Sequence, residues 1–296
     1  MTLDRSGLVE YAQTPYERLP RPPRTDRYDI RRFRETDNPK FASLARSIHA
    51  IGYQTMGFVK PSALTSEGHL RSEIDKARGP LVDYYVGPGS SDQTDIMPNV
   101  RTIDAVTMRK IHVPPGGGVV DLPAYQVCRD SLYLEDHAFL LGLNNADTRL
   151  KEIGALAGTP KSHPTGIYEL LRNAIHEAHG RDEVWIASIV STTYAALTKR
   201  FGTGALRQIG EPVPIRSEHV NESVSLVPVM TNVDSFVDAI YQSLTREMNE
   251  QARRRQLDSF LFFAEGLRDD ELGDEMAGVR AALASTPNGF ASQHRG

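Results

Sequence analysis

Glu152-Ile153-Gly154-Ala155-Leu156-Ala157-Gly158, the loop Thr159-Pro160-Lys161-Ser162-His163-Pro164-Thr165-Gly166 and the run Val184-Trp185-Ile186-Ala187-Ser188-Ile189-Val190 decide the fold of this chain. The first run is short and apolar and ends at a glycine, as a strand does. After the loop, Ile167, Leu170, Leu171, Ala174, Ile175 and Ala178 form one stripe at helical spacing, closed by Gly180. Val184 to Val190 is apolar nearly throughout, as in a strand covered on both faces. Strand, helix and strand joined by short connections predict a parallel pair, because parallel strands need a crossover of this length.

Working outward, Ser191 can cap a short helix through Arg200, which Gly202 ends. Leu206 to Ile209 and Ser225 to Met230 follow as strands, and Pro228 places the latter at an edge or a bulge. From Asp234 the stripe Val237, Ile240, Tyr241 and Leu244 opens a long helical tail reaching past Phe263. Upstream, Tyr28 to Arg34 reads as a first strand. Phe41, Leu44, Ala45, Ile48 and Ile51 read as a helix, with a second helical stretch over Thr65 to Ala77. Leu81 to Val86 and Ala105 to Val113 pair as a hairpin across the turn-rich segment Gly87 to Pro98. Residues 1–26 carry four prolines among arginines and form an extended arm, and Ser285 to Gly296 is a flexible tail. The positive charge of Arg27 to Arg34 suits a phosphate or an acidic carrier protein, or is a solvated stretch.

Among the 296 residues, 40% are hydrophobic and 24% charged, which is globular composition and excludes disorder of the whole chain. A net charge of -4 supplies no overall field for nucleic acid or an anionic membrane. No apolar run approaches the ~20 residues of a membrane helix, and the N-terminal stretch does not read as a secretory signal. The expectation is a soluble, cytoplasmic protein. The one cysteine, Cys128, reads as a buried small side chain. His176 and His179 stand three apart on a polar helix face and lack the zinc-protease spacing, so no metal site is expected. Gly116-Gly117-Gly118 lacks a following Lys-Ser/Thr and reads as a turn, and no Gly-x-Ser-x-Gly elbow supports a serine hydrolase.

Tyr28 to Asp37, Glu152 to Ala157 with its loop and helix, and Val184 to Gly210 resemble three stretches of the GCN5-related N-acetyltransferase (GNAT) superfamily. The last resembles the branch that makes N-acyl amino acids and acyl-homoserine lactones. The resemblance covers roughly residues 28–231. It implies an α/β fold: a mixed, mostly antiparallel sheet with a splayed pair of parallel central strands, helices on both faces and extra C-terminal helices. Domain limits follow at 27–232 for the acyltransferase domain and 233–284 for a helical extension. The implied activity moves an acyl group from an acyl-thioester, either acyl-CoA or acyl-phosphopantetheine on an acyl-carrier protein, to the amine of an amino acid, its lactone or a peptide. The thioester would lie along the strand at Leu156 and Ala157, its carbonyl polarised by a backbone N–H.

His163-Pro164-Thr165-Gly166-Ile167-Tyr168 falls in the register of the family's phosphate loop. Gly166 fits, whereas Tyr168 replaces a small residue and should crowd a pyrophosphate, which tilts the donor toward a carrier protein; Gly166 also reads as a plain turn residue. Arg172, four residues from Tyr168, is a candidate contact for carrier or phosphate, or a solvated surface arginine. Glu152 matches the glutamate that binds or deprotonates the acceptor amine, the alternative being an exposed strand-end carboxylate. The family's catalytic tyrosine is replaced by Thr198, and Tyr194, one turn earlier, can take the thiolate-protonating role or simply pack. Leu132 to Leu143 is an apolar insertion, either a wall for an acyl chain or a helix covering the sheet. These departures leave open a GNAT-fold binding or regulatory protein without catalysis, and an unrelated α/β enzyme.

Overall fold

The computed structural model describes residues 30–34, 36–71, 81–88, 104–143, 149–163, 165–221 and 224–284. The arm over 1–26, Tyr28 and Asp29 of the first strand, residues 72–77, most of the Gly87 to Pro98 segment and the tail over 285–296 lie outside them. The described chain divides into two compact units, one holding 30–191 with 208–230, the other 192–207 with 231–284.

The first unit is built on strands β1 (Arg31–Arg34), β2 (Val82–Pro88), β3 (Ala105–His112), β4 (Leu150–Gly158), β5 (Val184–Val190), β6 (Arg207–Gln208), β7 (Val213–Pro214) and β8 (Ser225–Asn232). Their order across the sheet is β1-β2-β3-β4-β5-β8-β6, with β7 also on β8. The pairs from β1 to β4 are antiparallel, as the hairpin reading requires, and β4 and β5 are parallel. Helix α1 (Pro39–Thr55) precedes β2, α2 (Pro123–Cys128) and α3 (Leu134–Gly142) precede β4, and α4 (Gly166–Ala178) joins β4 to β5. This is the arrangement the GNAT resemblance implies.

Alternation along β2 puts helices on both faces. The Tyr84 hydroxyl accepts from Arg46 Nε of α1 at 3.3 Å, whereas Tyr85, one residue on, donates its hydroxyl to Glu177 Oε2 of α4 at 2.8 Å. The α1 face holds the main core, including Leu44, Ile48, Tyr84, Ile111, Leu122, Leu140, Leu150 and Ile186. α1 starts at Asn38, whose Oδ1 accepts from Phe41 N, with Pro39 in the first turn where no N–H is missed. It stops at Gly57, whose φ of +73 ends the helix.

The α4 face carries charge where the strands begin. Lys110 Nζ meets Glu183 at 2.6 Å, and Trp185 Nε1 donates to the same carboxylate at 2.7 Å. Burial pulls the Lys110 ammonium below its ordinary value and Glu183 opposes the shift. Asp83 is ringed by Arg32 (3.1 Å), Arg34 (3.2 Å) and His112 (2.6 Å). Burial pushes that carboxyl up, but the His112 bond and the two arginines hold it below the ordinary range.

Four local expectations change. Residues 65–71 form a turn, not a helix: Leu64 bridges Leu70, and Gly68 at φ +78 takes a conformation no helix has. Ser191 does not cap with its side chain, because its hydroxyl bonds Ser225 O and Oγ across to β8. Pro228 lies in a strand with neighbours on both sides. Its carbonyl accepts from Ile209 N, so its missing N–H also faces that side, where the partner strand breaks between Gln208 and Val213. In β5 only Val184, Trp185 and Ile186 are buried; Ala187 to Val190 are half-buried, because β5 has left β4 by then.

The second unit comprises the rest of α5 (Ser191–Phe201), then α6 (Phe236–Arg246), α7 (Glu250–Ala264), α8 (Asp269–Leu272) and α9 (Asp274–Ala284). Phe201, Phe236 and Phe263 meet edge to face at centroid distances of 5.7, 5.4 and 5.1 Å. The expected long tail is broken over 247–249, where Asn249 Oδ1 caps α7 through Ala252 N. Among the described residues, no helix is long and apolar enough to cross a membrane.

Candidate active site

β4 is irregular where it matters. Arg109 faces Gly154 and Thr107 faces Ala157, so Ala155 and Leu156 together oppose the single residue Met108. This is a β-bulge, and Ala155 sits in it at φ +53, a region a non-glycine residue enters at a cost of order 1 kcal/mol or more. A bulge takes one residue out of the ladder and re-aims its backbone amide. Just before it, the β4/β5 pair ends: Leu150, Lys151 and Glu152 partner Val184, Trp185 and Ile186, and then both strands run on without partners across the gap. Leu156 on one side and Ala187, Ile189 and Val190 on the other are half-buried. The ladder thus opens beyond Glu152, next to the bulge, with Leu156 on one side and Ala187 to Val190 on the other.

Glu152 is the last residue of β4 paired with β5, at the apex of this split. It is 4% exposed and its Oε2 accepts from Ala124 N of α2 at 2.8 Å. The exposed strand-end reading is therefore excluded. Its other oxygen, Oε1, faces the bare α-carbon of Gly154: a Cβ built there lies 3.7 Å from Glu152 Oε1 and 3.6 Å from Arg109 Nη2. Burial lowers the pKa of the Arg109 guanidinium, and the Glu152 carboxylate opposes the shift, so the two act as a pair.

α1 roofs this pair. Gly52 brings the helix close enough that a Cβ would stand 2.8 Å from Gly158 O and 2.9 Å from Ala157 Cβ. The His49 and Tyr53 rings, one turn apart, meet edge to face at 4.1 Å. Burial, with Arg109 adding to it, pushes the His49 imidazole down to about 3, and its Nε2 has no hydrogen-bond partner. Burial raises the Tyr53 phenol. Near Glu152, burial pushes the Cys128 thiol up to about 11, so it remains protonated and is no nucleophile at neutral pH.

The other residues singled out from sequence are placed as follows. Ala157 is buried against Gly52, and Leu156 is half-buried in the bulge. His163 Nδ1 bonds Thr165 Oγ1 at 2.7 Å, ahead of Gly166, which is buried at the start of α4. Gly166 N donates to His163 O and Tyr168 N to Thr165 O, both at 2.9 Å, so these amides close the helix's first turn. Tyr168 and Arg172 are half-buried. Tyr194 belongs to the second unit; its hydroxyl donates to Leu206 O at 3.4 Å, and burial raises the phenol, keeping it protonated. The apolar insertion forms α3, with Leu140 buried and Leu134, Phe139 and Leu141 exposed.

Sequence reading missed Arg109, His49 and Tyr53. The available signal was the charged Arg109-Lys110 in the middle of an otherwise strand-like run, since an interior strand seldom buries charge without a partner. Among the described residues, no group of three or more His, Cys, Asp or Glu side chains is placed to hold a metal ion.

No protein-family model matches the sequence, and no curated protein matches it. Among solved structures, the chain is similar to FeeM, an N-acyl amino acid synthase from uncultured soil microbes. That match has a TM-score of 0.47 and 15% identity and spans 72% of this chain and 96% of FeeM. It is also similar to MesI, a CoA-dependent acyl-homoserine lactone synthase, with a TM-score of 0.42 and 11% identity over 78% of this chain and 94% of MesI. The chemistry of the site rests on its own residues.

Proposed function

We propose that the protein is an N-acyltransferase that takes an acyl group from a thioester and passes it to an amine. The observation that carries this reading is the placement of buried Glu152 at the apex of the β4/β5 split, three residues before the strained Ala155. An acyl-pantetheine threaded between the unpaired ends of β4 and β5 would set its carbonyl against the amide of the bulge, which stabilises the oxyanion as it forms. The acceptor nitrogen attacks that carbon, the C–S bond breaks, and the ammonium proton passes to Glu152. The thiolate then takes a proton from water or from a phenol.

On the donor side, Gly166 N already donates to His163 O and Tyr168 N to Thr165 O, and the family register has a small residue where Tyr168 stands. That favours a donor with a single phosphate, acyl-phosphopantetheine on a carrier protein, over coenzyme A. The same observation supports the second reading, a binding protein of this fold without catalysis. Incubating the protein with acyl-coenzyme A or acyl-carrier protein and a panel of amines, and following free thiol, separates the two. Thiol release that depends on the amine, with a new amide by mass spectrometry, is the expected result. Acyl-thioester binding without thiol release from any donor would establish the second reading.

A further inference from the structure

Six of the eight large hydrophobic side chains that stand exposed among the described residues lie within one short stretch: Val120, Val127, Tyr133, Leu134, Phe139 and Leu141. Single exposed apolar residues are ordinary, but a concentration of them marks an interaction surface. At its centre, α3 is built inside out. Asp136 and Leu140 are its buried residues, whereas Leu134, at 83% exposure, Ala138, Phe139, Leu141 and Gly142 face outward with Glu135. Leu134, Ala138 and Gly142 recur every four residues and so line one stripe. The helix that carries this stripe is fixed in place. The Tyr125 hydroxyl of α2 and His137 Nε2 meet at 2.6 Å, and Tyr133 N donates to Ile209 O and Glu211 N to Ser131 O, both at 2.9 Å. Gly210 allows that approach, since a Cβ there would stand 2.5 Å from Ser131 O.

The charges around the stripe argue against two kinds of partner. An acidic protein or an anionic lipid surface is recognised by basic side chains, whereas α3 carries no Lys or Arg, and Arg129, just before it in the chain, is paired with Asp130 at 3.0 Å. An apolar face depleted of charge is what the contact between two copies of one chain has. The stripe is also complementary to itself. When two copies of α3 cross antiparallel about a two-fold axis at Ala138, the protruding Leu134 of each meets Gly142 of the other, beside whose bare α-carbon no atom lies within 4 Å. The six side chains together expose roughly 600 Å², at about 200 Å² for a whole large residue. With Glu135, Ala138 and Gly142 added, this approaches the ~800 Å² per copy of a stable interface. We propose that α3 and the segments beside it form a two-fold interface with a second copy of this chain, with Ala138 on the axis.

Sedimentation velocity of the unmodified protein from about 1 to about 100 μM should show two chains in concentration-dependent exchange with one. Leu134→Glu puts a charge into the contact twice per dimer and should raise the dissociation constant at least ~100-fold. Leu134 is 83% exposed, so this variant should unfold in urea as the unmodified protein does. Met248→Glu, at an apolar residue of the second unit that is 78% exposed, should leave the dissociation constant unchanged. The one native cysteine, Cys128, is buried, so Ala138→Cys adds the only exposed thiol; mild oxidation should link two chains through it, whereas Met248→Cys should give no link. A single chain at every concentration would overturn the proposal. So would a dimer that Leu134→Glu leaves intact, because its contact then lies elsewhere, and so would a dimeric Ala138→Cys that does not cross-link, because the axis is then not at that residue. A monomer that co-sediments with phosphatidylcholine vesicles, and ceases to do so as Leu134→Glu, would assign the face to a lipid surface and equally overturn the proposal.

Discussion

Replacing His49 with phenylalanine should flatten the acid limb of this protein's stability. In the unfolded chain the imidazole titrates at its ordinary 6.5; in the folded protein burial holds it at about 3. Between these values the unfolded chain binds a proton that the folded one does not, so falling pH favours unfolding. The contribution is complete above 6.5 and is lost as pH falls toward 3. Going from pH 7.5 to pH 5, these two values give a loss of about 2 kcal/mol from this one group, at 1.36 kcal/mol per unit of pKa shift. Phenylalanine keeps the edge contact with Tyr53, removes the unpaired Nε2 and cannot titrate. The single tryptophan, Trp185, is 3% exposed in the same unit, so its fluorescence in urea titrations at the two pH values reads the relevant unfolding. Wild type should lose the ~2 kcal/mol attributable to His49 over this interval and His49→Phe should not. A variant that loses as much as wild type would show that His49 is not held neutral, and the description of the roof over Arg109 would be wrong.

Glu152→Gln keeps the shape and the bond from Ala124 N but removes the basic carboxylate; kcat/KM for amine acylation should fall by about 10²-fold or more, with the loss shrinking at high pH, where the amine is already deprotonated. Unchanged rates across pH would move the base elsewhere. Gly52→Ala would ordinarily gain helix propensity, but its methyl group would stand 2.8 Å from Gly158 O, a backbone atom that cannot swing aside. A net loss of about 1–3 kcal/mol by urea unfolding is expected, and a gain would show that α1 does not press on β4 as described. Tyr168→Gly should improve use of acyl-coenzyme A relative to acyl-carrier protein in steady-state assays; tight coenzyme A binding by the unmodified protein would count against the steric argument.

What the sequence by itself determined is the part written in local periodicity. The strand pattern of Glu152 to Ala157, the stripe from Ile167 to Ala178 and the apolar run Val184 to Val190 required a parallel pair with a helical crossover, and that pair is present. Glu152 was singled out by its match to the glutamate of the synthase-like branch, not by periodicity, and only the structure shows that it is buried. Where short-range pattern was weak it misled: Thr65 to Arg71 has helix-like composition, yet the backbone turns at Gly68. Only the tertiary structure decided the rest. Ala155 has no sequence mark of a positive φ; the bulge arises because Met108 must face two residues when β3 and β4 pair on both sides of it. Arg109, Glu152 and Gly154 meet because of cross-strand register, and His49 and Tyr53 join them because α1 packs on that face. Register and helix packing are long-range: they are set by which residues the whole sheet buries, and no window of sequence contains them.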